Sequence, residues 1–222
     1  VSTTARRLIY LHGFASSPGS NKARRFAEAL GRRGLEIGVP DLNEGDFCGL
    51  TLSRQVRLLE RMTVDQAPGS VVLVGSSMGG YAAALFTARS ERVAALVLMA
   101  PAFGFIERWT GRMSAEALAE WRRRGAMQVL HYATNQLEPI GWSLVEDARQ
   151  HPAYPEVGVP TLVIHGRHDE SVPVACSERF AAGRPNVTLE LLESDHSLGD
   201  VVDWIIDRVC RFLAPYFPQL EG

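Results

Sequence analysis

Lysine is almost missing from this sequence. Of 23 lysine and arginine residues, Lys22 is the only lysine. The skew reads as a trace of genome composition rather than of function. Cysteine is scarce too. Cys48, Cys176 and Cys210 are odd in number, widely spaced and without a C-x-x-C pair, which argues against a disulfide framework or a zinc site and for free thiols. No block of one charge sign interrupts the chain, and the formal net charge is -2. Nothing in that balance selects nucleic acid or an anionic membrane as a partner. No apolar run approaches transmembrane length and no signal peptide opens the sequence. The first residue is Val1, which leaves room for a targeting segment removed ahead of it; a reducing cytoplasm fits the thiols best. G-x-x-x-x-G-K, a convincing G-x-G-x-x-G and H-E-x-x-H are all missing, so neither a phosphate-cradling loop nor a metalloprotease zinc site is expected.

The 222 residues, 46% hydrophobic and 22% charged, suit a globular α/β protein with a full core. Short apolar runs alternate with helical periodicity. Strands are predicted at Leu8–Leu11, Leu35–Val39, Val71–Val74, Val93–Met99, Thr161–Ile164 and Val187–Leu192. Helices are predicted over Lys22–Arg33 (with Asn21 as N-cap), Leu52–Met62, Tyr81–Ala88, Val174–Ala182 and Gly199–Leu213. Continuous apolar strands of this kind are buried on both faces, as in a mostly parallel sheet with helices on both sides. After Pro101 the pattern changes. Residues from about 102 to 156 hold no strong buried strand. Within them Ser114 caps a helix to Arg124, Val129–Ala133 suits a short extended piece, and Trp142–Gln150 a second helix. This stretch reads as a small cap insertion in a single domain covering 1–222.

Within that frame Gly75-Ser76-Ser77-Met78-Gly79 reads G-x-S-x-G. It follows an apolar β-branched strand and precedes an alanine-rich helix, the setting in which this motif forms a nucleophile elbow. The tight turn needs glycines at 75 and 79, where a Cβ would crowd helix against strand. A serine hydroxyl attacks only when a base takes its proton, and histidine, titrating near neutrality, is the usual base. A carboxylate must then orient the imidazole. Of six histidines, His196 lies in the loop after the last strand, the position a base requires. Asp169, after the penultimate strand, is the candidate acid. Glu170 is its main rival, and Asp195 is disfavoured because sequence neighbours of a histidine seldom face it. The oxyanion donors expected are the backbone N–H groups of Met78, after the nucleophile, and Phe14, in the loop after the first strand. His12 reads as a structural residue holding that loop.

His12-Gly13-Phe14, Gly75-Ser76-Ser77-Met78-Gly79-Gly80, the run His165 to Pro173 and Ser194-Asp195-His196 together resemble the α/β-hydrolase superfamily, from Leu8 to Phe212. More narrowly, Tyr10 to Ala23 resembles the opening of small bacterial esterases of the YqiA type. The resemblance implies hydrolysis of carboxylic esters, in some members thioesters, without a cofactor, through Ser77, Asp169 and His196. The expected partner is a small acyl ester or thioester, and the protein a monomer or homodimer. The short insertion allows only a small cap, which favours short- to medium-chain acyl groups. Phe103, Phe105, Trp109 and Trp142 are candidates for the walls of the acyl pocket, though aromatics there serve equally well to anchor the insertion to the core. Arg122-Arg123-Arg124 reads as a solvated helix face. The main alternatives are a thioesterase, depalmitoylase or acyl-peptidase using the same triad. A hydrolase-fold ligand-binding protein with little turnover is the alternative outside the enzyme class.

Overall fold

The computed structural model describes residues 6–220. In chain order the first part contains β1 (Arg7–Leu11), α1 (Asn21–Gly31), β2 (Ile37–Gly38), α2 (Leu52–Met62), β3 (Val71–Ser76), α3 (Met78–Thr87) and β4 (Val93–Met99). A helical and hairpin segment follows: α4 (Phe105–Gly111), α5 (Ala115–Arg124), β5 (Ala126–His131), β6 (Gln136–Gly141) and α6 (Ser143–Ala148). The alternation then resumes with β7 (Thr161–Gly166), α7 (Ala175–Ala181), β8 (Val187–Leu192) and α8 (Val202–Leu213).

Six strands form one sheet in the order β2-β1-β3-β4-β7-β8, and every pairing in it is parallel. Alternate side chains of these strands feed two separate cores, as the period of two requires. Ile9, Leu11, Val71, Leu73, Leu96 and Leu98 face α2, α3 and the cap. Leu8, Tyr10, Val72, Val74, Val97 and Ile164 face α1 and α8. All ten residues of α3 are buried, which explains its alanines: a helix held between sheet and cap has no solvent face to make polar. This is the α/β-hydrolase fold, a parallel sheet with helices on both faces and extra cap helices α4–α6.

Several local predictions shift. Ser20, not Asn21, caps α1, accepting from the Ala23 N–H at 3.4 Å. Ser114 caps α5 by the same device, accepting from Ala117 at 3.2 Å. The extended piece near Val129 is one arm of an antiparallel hairpin, β5–β6, which stands apart from the main sheet. Its burial alternates weakly and Pro139 lies in its second arm, so the second strand carried little periodic signal. The cysteines are free, with Cys176 and Cys210 buried. No helix among the described residues is long and apolar enough to cross a membrane.

Candidate active site

Because the strands are parallel, the loops after β1, β3, β7 and β8 all leave from one edge of the sheet. Those loops carry His12-Gly13-Phe14, Ser77, Asp169 and His196. Residues separated by up to 184 positions are thereby gathered at the carboxyl ends of the strands, where open α/β sheets place their ligands.

The turn after β3 is strained. Ser77 has φ 53° and ψ -120°, a region that side-chain-bearing residues avoid. Its backbone is pinned there: the N–H donates to Met99 O at 2.9 Å, and the carbonyl accepts from Tyr81 and Ala102 at 3.1 and 3.0 Å. The two glycines serve different contacts. A Cβ on Gly75 would sit 2.6 Å from Gly80 Cα, against α3. One on Gly79 would collide with the carbonyl oxygens of Leu11 and His12, at the end of β1 rather than β3. Small residues here let the helix after Ser77, the strand before it and the β1 loop converge.

Ser77 Oγ lies 3.1 Å from His196 Nε2, and His196 Nδ1 lies 2.6 Å from Asp169 Oδ2. With Asp169 ionised, Nδ1 carries the proton and Nε2 faces the serine as an acceptor. The Asp169 side chain is fully buried, whereas that of His196 is 30% exposed and faces open space. Four donors hold the carboxylate: His196, the N–H groups of Ser171 (2.9 Å) and Val172 (2.7 Å) on Oδ1, and His165 Nε2 at 3.1 Å on Oδ2. Burial alone would raise Asp169, but the bonds from His165, His196 and Val172 and the His196 charge outweigh it. They hold the carboxyl well below the usual carboxylate range. Glu170 is exposed, and Asp195 turns its Oδ1 to Ser197 and Leu198 of its own loop. Asp169 is thus the acid in contact with His196.

His165 was not singled out by the sequence. Its ring is fully buried at the end of β7. Nε2 also lies 2.9 Å from Val172 O, so it donates, and Nδ1 accepts from the Ser177 hydroxyl at 2.6 Å. The signal available was its place in His165-Gly166-Arg167-His168-Asp169, one turn ahead of the acid. His12 does hold its loop. Its Nδ1 donates to Gly13 O at 3.0 Å and its Nε2 accepts from the Leu42 N–H at 3.1 Å. Burial pushes its pKa down, only partly offset by the Gly13 bond and Asp41, which suits a neutral structural ring.

Two cavities meet at Ser77 and His196. The first, of about 460 Å³, is walled by Phe14, Met78, Phe105, Trp109, Val129 and Val172, with Arg108 and Arg112 also on it. Arg108 is engaged with Phe103 O and Cys176 Sγ. The β5–β6 hairpin supplies Val129 and Leu130 and is tied down through Tyr132 N to Ala15 O at 2.8 Å. Phe14 and Met78 border Ser77 here, and neither N–H has an acceptor among the described residues. Gly13 brings this loop close; a Cβ on it would lie 3.3 Å from Ser77 Cβ. Of the four aromatic residues proposed for the wall, Phe105 and Trp109 line the cavity and two do not. Phe103 is fully buried, stacked on Phe180 at 4.2 Å. Trp142 packs edge-on against Trp121 at 5.4 Å, anchoring the cap to itself. Spacing alone does not tell an inward from a cavity-facing aromatic.

The uncharacterised protein family UPF0227 matches residues 7–214. The chain belongs to that family. Among curated relatives, the mitochondrial palmitoyl-protein thioesterase ABHD10 of Bos taurus is 25% identical over 212 residues, covering 88% of this chain and 68% of its own. A 2-hydroxy-6-oxononadienedioate/2-hydroxy-6-oxononatrienedioate hydrolase of Burkholderia vietnamiensis is 27% identical over 227 residues, covering 83% of this chain and 78% of its own. Among solved structures, mouse α/β hydrolase domain-containing protein 10 superposes with a TM-score of 0.79 at 22% identity, covering 97% of this chain and 92% of its own. At that identity the structural likeness speaks to the fold.

Proposed function

We propose that this member of UPF0227 is a serine hydrolase of carboxylic esters, with Ser77 as nucleophile, His196 as general base and acid, and Asp169 as the orienting carboxylate. The contact chain from Ser77 Oγ through His196 to Asp169, opening on a cavity with apolar walls, carries this reading. His196 Nε2 takes the Ser77 proton as Oγ attacks the acyl carbonyl carbon. The oxyanion that forms accepts hydrogen bonds from the Phe14 and Met78 N–H groups. Collapse expels the alcohol, which receives the proton from His196, and leaves an acyl-Ser77 ester. Water, deprotonated by His196, then releases the acid and restores the serine. The relationship to thioesterases and other hydrolases supports ester-hydrolysing activity, as does the likeness of the chain's opening to YqiA-type esterases. We read residues 1–222 as one domain with 102–156 as its cap.

Replacing Ser77 by alanine should lower p-nitrophenyl acetate turnover by about 10⁴-fold and abolish labelling by a fluorophosphonate. Turnover at the wild-type rate in Ser77→Ala would sink the proposal. A folded wild-type protein that neither turns over esters nor labels would instead support a ligand-binding role. A second reading, a thioesterase, draws on the ABHD10 relatives, which are palmitoyl-protein thioesterases. Matched butyryl and palmitoyl oxygen esters and thioesters separate the two. A kcat/KM peak at short or medium acyl oxygen esters supports the first reading, and one at palmitoyl thioesters the second.

A further inference from the structure

The second cavity at the nucleophile adjoins the first. It encloses about 360 Å³, shares Ser77, His196, Phe14 and Tyr132 with its neighbour, and continues under the first turn of α1. Its remaining wall includes the hydroxyl and amide groups of Ser16, Ser20, Asn21, Ser76 and Ser197, alongside Tyr10, Gly13, Gly199 and Val202. One cation lines it, Lys22, the only lysine of the sequence.

Lys22 has no counter-ion among the described residues. Its Nζ donates to Ser76 Oγ at 3.0 Å, the residue before the nucleophile, and no carboxylate among the described residues lies within ion-pair distance. The two acids near enough to act on it are committed elsewhere. Asp169 is held by four donors, and Asp195 by the Ser197 hydroxyl and the N–H groups of Ser197 and Leu198. An ammonium has three donors, and the protein takes up one. Burial lowers its pKa to about 8, against the pull of Asp169 and Asp195. The group therefore remains charged at neutral pH at a desolvation cost that an anion would relieve.

The chemistry at Ser77 says which half of a substrate occupies this cavity. The acyl group suits the apolar walls of the first. The leaving oxygen must reach His196 for its proton, and residues just after His196, Ser197 and Gly199, line the second. Resting on the hydrolase reading above, we infer that the second cavity is a leaving-group subsite in which Lys22 pairs with an anionic group, carboxylate or phosphate, on the alcohol or thiol portion of the substrate.

The test uses 4-butyryloxybenzoate and its neutral counterpart 4-butyryloxybenzamide, with phenol release followed in wild type, Lys22→Met and Lys22→Gln. Glutamine keeps a donor for Ser76 but no charge. The wild type should favour the benzoate by about tenfold or more in kcat/KM, as charge-assisted bonds are worth, and both variants should lose that ratio. In parallel, calorimetry measures binding of 4-hydroxybenzoate, 4-hydroxybenzamide and phenyl phosphate, which needs no turnover. Both anions should bind the wild type more tightly than the amide, and neither should do so in Lys22→Gln. A ratio unchanged by either substitution, or an anion preference surviving in Lys22→Gln, overturns the subsite. Failure to hydrolyse either ester counts against the hydrolase reading alone, since binding then decides the subsite by the same criterion. Preference for the benzoate over phenyl phosphate, or the reverse, identifies the anion.

Discussion

At the scale of single residues the site rests on how one carboxylate is satisfied. Asp169 stays ionised because four donors converge on it, and His165 is the side-chain donor with no proposed role at the reacting atoms. His165→Phe should strand the Ser177 hydroxyl and remove one bond from Asp169, costing about 1–3 kcal/mol of stability in urea unfolding. The pH dependence has a definite sign. A depressed carboxyl contributes stability that is complete above its unfolded value, about 3.9, and is lost as pH falls through its lower folded value. With His165 gone that folded value rises. Acid unfolding followed by circular dichroism should therefore begin at higher pH in His165→Phe than in wild type; coincident curves would contradict the assignment. Lys22 has the opposite sense. Held near 8 by burial against Asp169 and Asp195, it should confer anion preference below that pH. The benzoate-to-benzamide ratio should fall as pH rises through about 8.

At the scale of elements, close approach decides what the turn after β3 tolerates. Gly79→Ala places a methyl on the carbonyls of Leu11 and His12. It should cost about 1–3 kcal/mol as overpacking does and weaken turnover, because the β1 loop carries the Phe14 N–H. Gly111, at the end of α4, has nothing within 4 Å of its would-be Cβ. Gly111→Ala should be neutral or stabilising by up to about 1 kcal/mol, which makes it the matched control. Equal losses in the two variants, measured by urea unfolding, would show that the turn is not where the strain is held. The hairpin was the hardest element to read from sequence. Its exposed Leu130 and Leu137, 43% and 68% accessible, break the alternation that identifies a half-buried strand. The helix α4 was passed over for a related reason: its seven residues are too few for a periodic face to stand out.

At the scale of the whole molecule, the sheet separates two cores. Ile205 on α8 is fully buried in the core opposite the cap. Ile205→Ala should cost about 2–5 kcal/mol of stability while the folded protein retains kcat/KM within about twofold. Trp109 lies on the cap side and lines the apolar cavity, so Trp109→Ala should alter the acyl-chain preference, read as the chain length at which kcat/KM peaks. A loss of turnover in folded Ile205→Ala as large as that of Ser77→Ala would mean that the two faces are not independent.

The meeting of Ser77, Asp169 and His196 was legible in the sequence because each sits in a loop directly after an apolar run. A parallel sheet sends all such loops to one edge, so strand order along the chain already brought these side chains near one another. Periodicity likewise determined the strands, the long helices and the fold. Sequence did not choose between Asp169 and Glu170 by geometry, nor tell Phe105 and Trp109 from Phe103 and Trp142. It also gave no reason to connect His165 with Asp169 or Lys22 with Ser76. Those distinctions depend on where a side chain points and what already occupies its partners. Such matters are settled by packing between segments distant in sequence, which only the tertiary structure brings into contact.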